Sequence, residues 1–262
     1  MTPVLPDAGS NWVDRHAPEA AKPWLKLGRF DRPIGIWLLL LPGWQGITLA
    51  LAQAETRPDL YDLWLYVGFA LGACLMRAAG CAFNDIVDRD IDARVARTAA
   101  RPVASGRISR RSAMAYVVIC SLMGLAILLT LNLTAIVLGV ASLALVAAYP
   151  FMKRITWWPQ AWLGLTFNWG ALMGYAAAGG FVTAPGMFAF LGEFSVIVWA
   201  GLWLYIGGIF WTLGYDTIYA LQDKHDDSAL GLKSTALTFG PNLPRIIPAL
   251  ALTTCALFET SA

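Results

Sequence analysis

Long apolar runs alternate with short polar ones along this chain, and each apolar run is continuous, with no two-residue alternation. A helix that crosses a bilayer needs about 20 mostly apolar residues, because the hydrocarbon layer is roughly 30 Å thick and a helix rises about 1.5 Å per residue. Seven runs meet that measure: 34–54, 63–84, 112–130, 133–151, 159–180, 194–218 and 243–259. Barrel strands would instead alternate polar and apolar residues over about ten positions. The pattern predicts an all-α, polytopic transmembrane helical bundle. Residues 1–28 are polar, carry Pro3, Pro6, Pro18 and Pro23, and are expected to be mobile. They hold no apolar core of signal-peptide length, so no cleavable leader is expected. Residues 29–262 are expected to form a single membrane-embedded domain.

Composition agrees. Of 262 residues, 58% are hydrophobic and 14% charged, too little polar surface to cover a water-soluble globule of this size. A net charge of +2 argues against a nucleic-acid partner, which would need clustered excess positive charge. Instead, 17 of the 19 Lys and Arg residues fall in the N-terminal segment and in the loops after the second, fourth and sixth runs. The positive-inside rule puts those parts in the cytoplasm, and the expected setting is a bacterial inner membrane. Cys74, Cys81, Cys120 and Cys255 all lie in apolar stretches and read as small hydrophobes.

Two acidic stretches break the pattern, both on the cytoplasmic side. The first, "AGCAFNDIVDRDIDARVARTAARP" (79–102), ends the second run with Asn84, Asp85, Asp88, Asp90 and Asp92. At about 100° per residue, Arg77, Asn84, Asp88 and Asp92 share one sector of a continuing helix, while Asp85 and Asp90 point elsewhere. The second, "GYDTIYALQDKHDDSALGLKST" (214–235), places Asp216, Asp223 and Asp227 on one helical face with Tyr219 close to it. Carboxylates gathered this way repel by roughly 4 kcal/mol per pair at 4 Å and an effective dielectric of 20, so they call for cations. All-oxygen ligands suit a hard ion, and few carboxylates per ion suit Mg²⁺ bridging to phosphate oxygens. His225 reads as a solvated bystander. Arg97, Arg101, Lys153, Arg154 and Lys233 suit the remaining charge of a diphosphate, although each alone also reads as a topology determinant. A diphosphate reached from within a membrane suggests a lipid diphosphate, whose allylic chain could leave as a carbocation stabilised by aromatic walls.

The segments "NDIVDRDID", "RTAARPVASG", "YPFMKR" and "YDTIYALQDKHDD" followed by "GLKST" resemble the signature segments of the UbiA superfamily of intramembrane prenyltransferases. "MRAAGCAFND", "FDRPIGIWLLLLP" and "YDTIYA" are similar to its 4-hydroxybenzoate polyprenyltransferase branch, which serves ubiquinone biosynthesis. The resemblance, running from about Arg29 to Gly240, implies helices around a central cavity open to the cytoplasmic side. It also implies Mg²⁺ dependence, a polyprenyl diphosphate donor and an aromatic acid acceptor. By that resemblance Asn84, Asp88, Asp92, Asp223 and Asp227 hold Mg²⁺ and the diphosphate, with the four aspartates as catalytic residues and Asp216 in support. Lys153, Arg154 and Lys233 contact the diphosphate, and Arg29 or Arg77 takes the acceptor carboxylate. The family usually has nine spans, so about two more are expected after the second motif and the chain reads as C-terminally short. Homogentisate, a naphthoate, chlorin or haem are alternative acceptors. Two other classes fit less well. CDP-alcohol phosphotransferases compress their acids into one segment with a D-G-x-x-A-R element, whose glycine "DIDARVAR" lacks, and a cation transporter needs polar residues at several depths.

Overall fold

The computed structural model describes residues 11–54, 58–95, 98–179, 187–229 and 231–261 and, apart from 187–198 and 225–227, their side chains. Two short helices, α1 (Trp12–His16) and α2 (Lys22–Leu27), come first. The long helices are α3 (Ile34–Ala54), α4 (Leu60–Val87), α6 (Arg110–Leu128), α7 (Leu133–Ile155), α8 (Pro159–Ala177), α9 (Met187–Ala220) and α12 (Leu243–Ser261). Between them lie the short α5 (Arg89–Asp92), α10 (Lys224–Ala229) and α11 (Thr235–Phe239).

Each of the seven expected runs falls on a long helix, and among the described residues five stretches are long and apolar enough to cross a membrane: Ile34–Ala54, Leu60–Val87, Arg110–Leu128, Leu133–Ile155 and Thr235–Ser261. Helices α8 and α9 are not among the five. In α8 the reason is polarity. Gln160, Thr166 and Asn168 lower its hydropathy, yet each finds a hydrogen-bond partner, and Gln160 and Asn168 are buried. The chain is an integral membrane protein: Leu63, Leu122, Leu133 and Val137 are at least 59% exposed, which suits lipid and not water.

The described residues form two compact units, one within 11–38 and 70–127, the other within 39–69 and 128–261. In the first, Ala78, Ala79 and Ala82 of α4 let α6 approach closely through Ala113, Tyr116 and Cys120. Leu27 and Val103 close this core from the segments before α3 and before α6. Lys26 pairs with Asp14, ties α2 to α1, and holds the Asp14 carboxyl below the usual carboxylate range.

In the second unit α7 packs on α8, and α8 and α12 pack on α9. Helix α3 meets α8 through glycines: a Cβ on Gly46 would collide with Ala171 O and Tyr175 N, and one on Gly174 with Gly43 O. Small residues at such crossings let backbones touch where no hydrophobic force separates helix from lipid. Since the colliding atoms are backbone, Gly46→Ala is expected to cost about 1–3 kcal/mol, read as a lower thermal midpoint in detergent. Gly72→Ala is the control: its Cβ meets nothing within 4 Å, so the midpoint should hold or rise.

Candidate active site

Helix α4 has 28 residues and is therefore about 42 Å long, longer than the hydrocarbon layer. Asn84 and Asp85 stand in its last turn. The helix ends at Val87, and Asp88 caps α5 with φ −92° and ψ 3°. Helical hydrogen bonds nonetheless run through the break, from Asp88 N to Asn84 O at 2.9 Å and from Asp92 N to Asp88 O at 2.8 Å. Asn84, Asp88 and Asp92 thus keep the four-residue spacing that the sequence predicts for one face. Asp88 is fully buried, Asp92 is buried, and Asn84 is half-buried.

Asp85, which the helical spacing turns away from that face, has buried partners of its own. It is 1% exposed, and its Oδ1 accepts from Arg29 Nη2 at 2.8 Å and, more weakly, from Arg101 Nη1 at 3.5 Å. Arg101 Nη1 also donates to Asp92 Oδ2 at 2.9 Å. Two arginines and two aspartates therefore form one buried network in the first unit, with Asp88 in the same turn. Asp85 Oδ2 is buried with no hydrogen-bond partner. Arg101, expected to meet a diphosphate, here neutralises Asp92 and Asp85. Arg77 lies along α4 over Gly35, whose missing side chain makes room for the guanidinium: a Cβ there would stand 2.6 Å from Arg77 Nη2.

The backbone presents Arg29 in an unusual way. Gly28 N bonds Trp24 O, Arg29 N bonds Lys26 O, and Phe30 N bonds Leu25 O. This is the Schellman pattern that closes a helix, and its left-handed position is normally glycine. Here Gly28 has φ −79° and Arg29 takes that position with φ 58°, the only non-glycine with positive φ among the described residues. A left-handed residue with a Cβ costs roughly 1–2 kcal/mol, and a hydrogen-bonded buried ion pair is what can hold it there.

The second unit carries the other motif. Helix α9 ends at Ala220, a 3₁₀ turn covers Leu221–Asp223, and α10 resumes at Lys224. Three residues at about 120° instead of 100° shift Asp223 by roughly 60° relative to a continuous α-helix from Asp216, which leaves the two within about 40° of one another. Asp216 and Asp223 are half-buried, and Tyr219 is 48% exposed. Arg97 and the Asp227 side chain lie outside the described residues.

Lys153, Arg154 and Lys233 are brought together where α7 ends. Lys233 N donates to Lys153 O at 2.9 Å, and Lys233 Nζ to Ile155 O at 2.9 Å, over the Trp157 ring. Arg154 sits 6.0 Å from the centre of the Phe151 ring. Last-turn carbonyls of a helix favour such cations. A buried chain of polar contacts fixes the Lys233 segment: Gln160 Oε1 accepts from Thr235 N at 3.0 Å, and Thr235 Oγ1 meets Thr217 Oγ1 at 2.6 Å.

Among the described residues, no three His, Cys, Asp or Glu side chains stand close enough to grip one metal ion. The chemistry of the first motif nevertheless fits a hard divalent cation. Its donors are all oxygen, two carboxylates and an amide, and beside them one buried carboxylate oxygen lacks a partner.

Residues 39–261 match the model of the UbiA prenyltransferase family. The chain belongs to this family. It is 47% identical over 233 residues to 4-hydroxybenzoate polyprenyltransferase, mitochondrial, of Arabidopsis thaliana, covering 89% of the chain and 53% of that protein. To the Bos taurus protein of the same name it is 51% identical over 227 residues, with 87% and 56% covered. The chain thus spans about half the length of the curated relatives it matches. Among solved structures, the apo structure of a UbiA homolog from Aeropyrum pernix K1 matches with a TM-score of 0.71 and 29% identity, covering 88% of this chain and 80% of that one. A UbiA homolog from Archaeoglobus fulgidus bound to GPP and Mg²⁺ shares the fold, with a TM-score of 0.60, 19% identity, and 91% and 77% covered. The curated relatives are mitochondrial by name and lend no support to the expected bacterial inner membrane.

Proposed function

We propose that this UbiA chain transfers a polyprenyl group from a polyprenyl diphosphate to the ring of 4-hydroxybenzoate, ortho to the hydroxyl, as a step of ubiquinone biosynthesis. The observation that carries the reading is the buried acid motif at the end of α4, with an arginine, Arg29, beside it whose N–H fork is only partly used. Relatives at 47–51% identity named for this activity support it. So does a family structure with GPP and Mg²⁺.

In this reading Asn84, Asp88 and Asp92 hold one Mg²⁺, and Asp223 and Asp227 a second, with Asp216 and Tyr219 in support. When bound, Mg²⁺ stabilises the negative charge that the leaving diphosphate acquires. Lys153, Arg154, Lys233, Arg97 and Arg101 add positive charge around the diphosphate oxygens. Arg29, with Arg77, takes the acceptor carboxylate and so sets which ring carbon faces the allylic carbon. The carbon–oxygen bond of the donor breaks, the ring carbon ortho to the hydroxyl supplies the electron pair for the new carbon–carbon bond, and the ring loses a proton to regain aromaticity.

The test is product identification with purified protein, geranyl diphosphate, Mg²⁺ and an equal mixture of 4-hydroxybenzoate and homogentisate. The expected product is 3-geranyl-4-hydroxybenzoate alone. A prenylated homogentisate as the main product would replace the acceptor while leaving the reaction class in place.

A further inference from the structure

Among the described residues, Arg29 has one side-chain hydrogen bond, to Asp85, although its guanidinium carries several donors and the side chain is only 14% exposed. Its backbone occupies a left-handed position that glycine would take without strain. Asp85 is thus the anchor that aims this side chain. Arg101 differs, because its contact to Asp85 is the longer one and a second anchor, Asp92, holds it at 2.9 Å. From this asymmetry we infer that Asp85 is a positioning residue for acceptor recognition: it fixes Arg29 so that the unused part of the fork faces the carboxylate of the aromatic acid. Two oxygens of different molecules then share one guanidinium, which sets the acceptor's orientation as well as its affinity. The inference rests on the proposed function in that Arg29 meets the acceptor.

The asymmetry also gives the test. Initial rates with 4-hydroxybenzoate and geranyl diphosphate are compared for the parent, Asp85→Asn, Asp85→Glu, Arg29→Gly and the double variant Asp85→Asn with Arg29→Gly. A charge-assisted hydrogen bond corresponds to about tenfold to hundredfold in affinity, so Asp85→Asn should raise KM for 4-hydroxybenzoate by that factor. KM for geranyl diphosphate should change less than about threefold, since Arg101 keeps its other anchor. Arg29→Gly relieves the backbone but leaves the buried Asp85 carboxylate with only its longer contact to Arg101, so it should lose stability while raising the acceptor KM by a similar factor, and removing the charge in the double variant should restore part of that stability. The double variant should be no worse than either single one. Asp85→Glu keeps the buried charge and the fold but displaces the carboxylate, and should fall between. A merely structural Asp85 would lower the thermal midpoint and the yield of active protein without separating the two KM values. A raised acceptor KM in Arg29→Gly with unchanged values in both Asp85 variants would overturn the inference and leave the proposed function standing. Unchanged acceptor KM in all variants would remove Arg29 from the acceptor site, and the inference with it.

Discussion

Asp88→Asn is expected to lower kcat for prenyl transfer by about two to three orders of magnitude, with a thermal midpoint close to the parent's. The substitution keeps size and shape and removes one negative charge. Asp88 is fully buried and sits where α4 breaks into α5, and its backbone bonds to Asn84 and Asp92 are ones that asparagine retains. What is lost is the carboxylate that would hold a cation against the departing diphosphate. That interaction strengthens as the carbon–oxygen bond breaks, so kcat should fall more than KM rises. Asp223→Asn in the second motif should behave the same way. Rates in detergent at saturating substrate, with the unfolding midpoint measured on the same sample, check both. A parent-like kcat in Asp88→Asn would remove it from the catalytic set.

The second large effect is on stability. Arg101→Met leaves the buried carboxylates of Asp85 and Asp92 without the guanidinium between them, and should destabilise the protein by about 3–5 kcal/mol. Arg101→Lys should cost less but not nothing, because one ammonium cannot reproduce a fork reaching two acids. Combining Arg101→Met with Asp92→Asn should recover part of the loss, since the penalty comes from uncompensated buried charge. Thermal or denaturant unfolding of these variants, of Asp92→Asn alone and of the parent in detergent measures this. Additive losses in the double variant would mean that Arg101 and Asp92 do not share the interaction that their 2.9 Å contact describes.

Hydrophobic run length placed every long helix, because bilayer thickness leaves few solutions for a run of about 20 apolar residues. It missed what makes α8 different. A window average treats Gln160 and Asn168 as reasons against a span, whereas Asn168 bonds Gly164 O and Thr212, and Gln160 bonds the backbone of Thr235, so their polarity is spent inside the unit. The acid spacing in the first motif was legible for the same kind of reason: four-residue steps return to one face, and hydrogen bonds preserve the steps across the break at Asp88.

Asp85 was not legible that way. A helical wheel sees only its own helix, and it turned Asp85 away from Asn84 and Asp88. The partners that bury it lie 56 and 16 residues away, at Arg29 and Arg101, and no local period reports them. The sequence did carry a weaker signal, an arginine just after Gly28 and another in the segment before Pro102, but only folding assigns both to one oxygen. Arg29 illustrates a second limit. "LGRF" suggests glycine as the left-handed residue closing α2, and the chain moves that role one residue on, which strains Arg29 and points it at the buried acid. In the second motif, the 3₁₀ turn over Leu221–Asp223 shifts Asp223 by roughly 60° from where a continuous α-helix would have put it relative to Asp216, a change that no apolar run length reports.

Prenyl transfer is read by tracking radiolabel from 4-hydroxybenzoate into the lipid-extractable fraction with purified chain and geranyl diphosphate. It is run with Mg²⁺ and with chelator, for the parent and for the combined Asp88→Asn, Asp223→Asn variant. The proposed function predicts label in lipid only for the parent with Mg²⁺, and background in the other three reactions. Equal transfer by the variant, or transfer that ignores the chelator, would contradict the assignment of the acid motifs. A well-folded parent that moves no label would contradict the transfer itself.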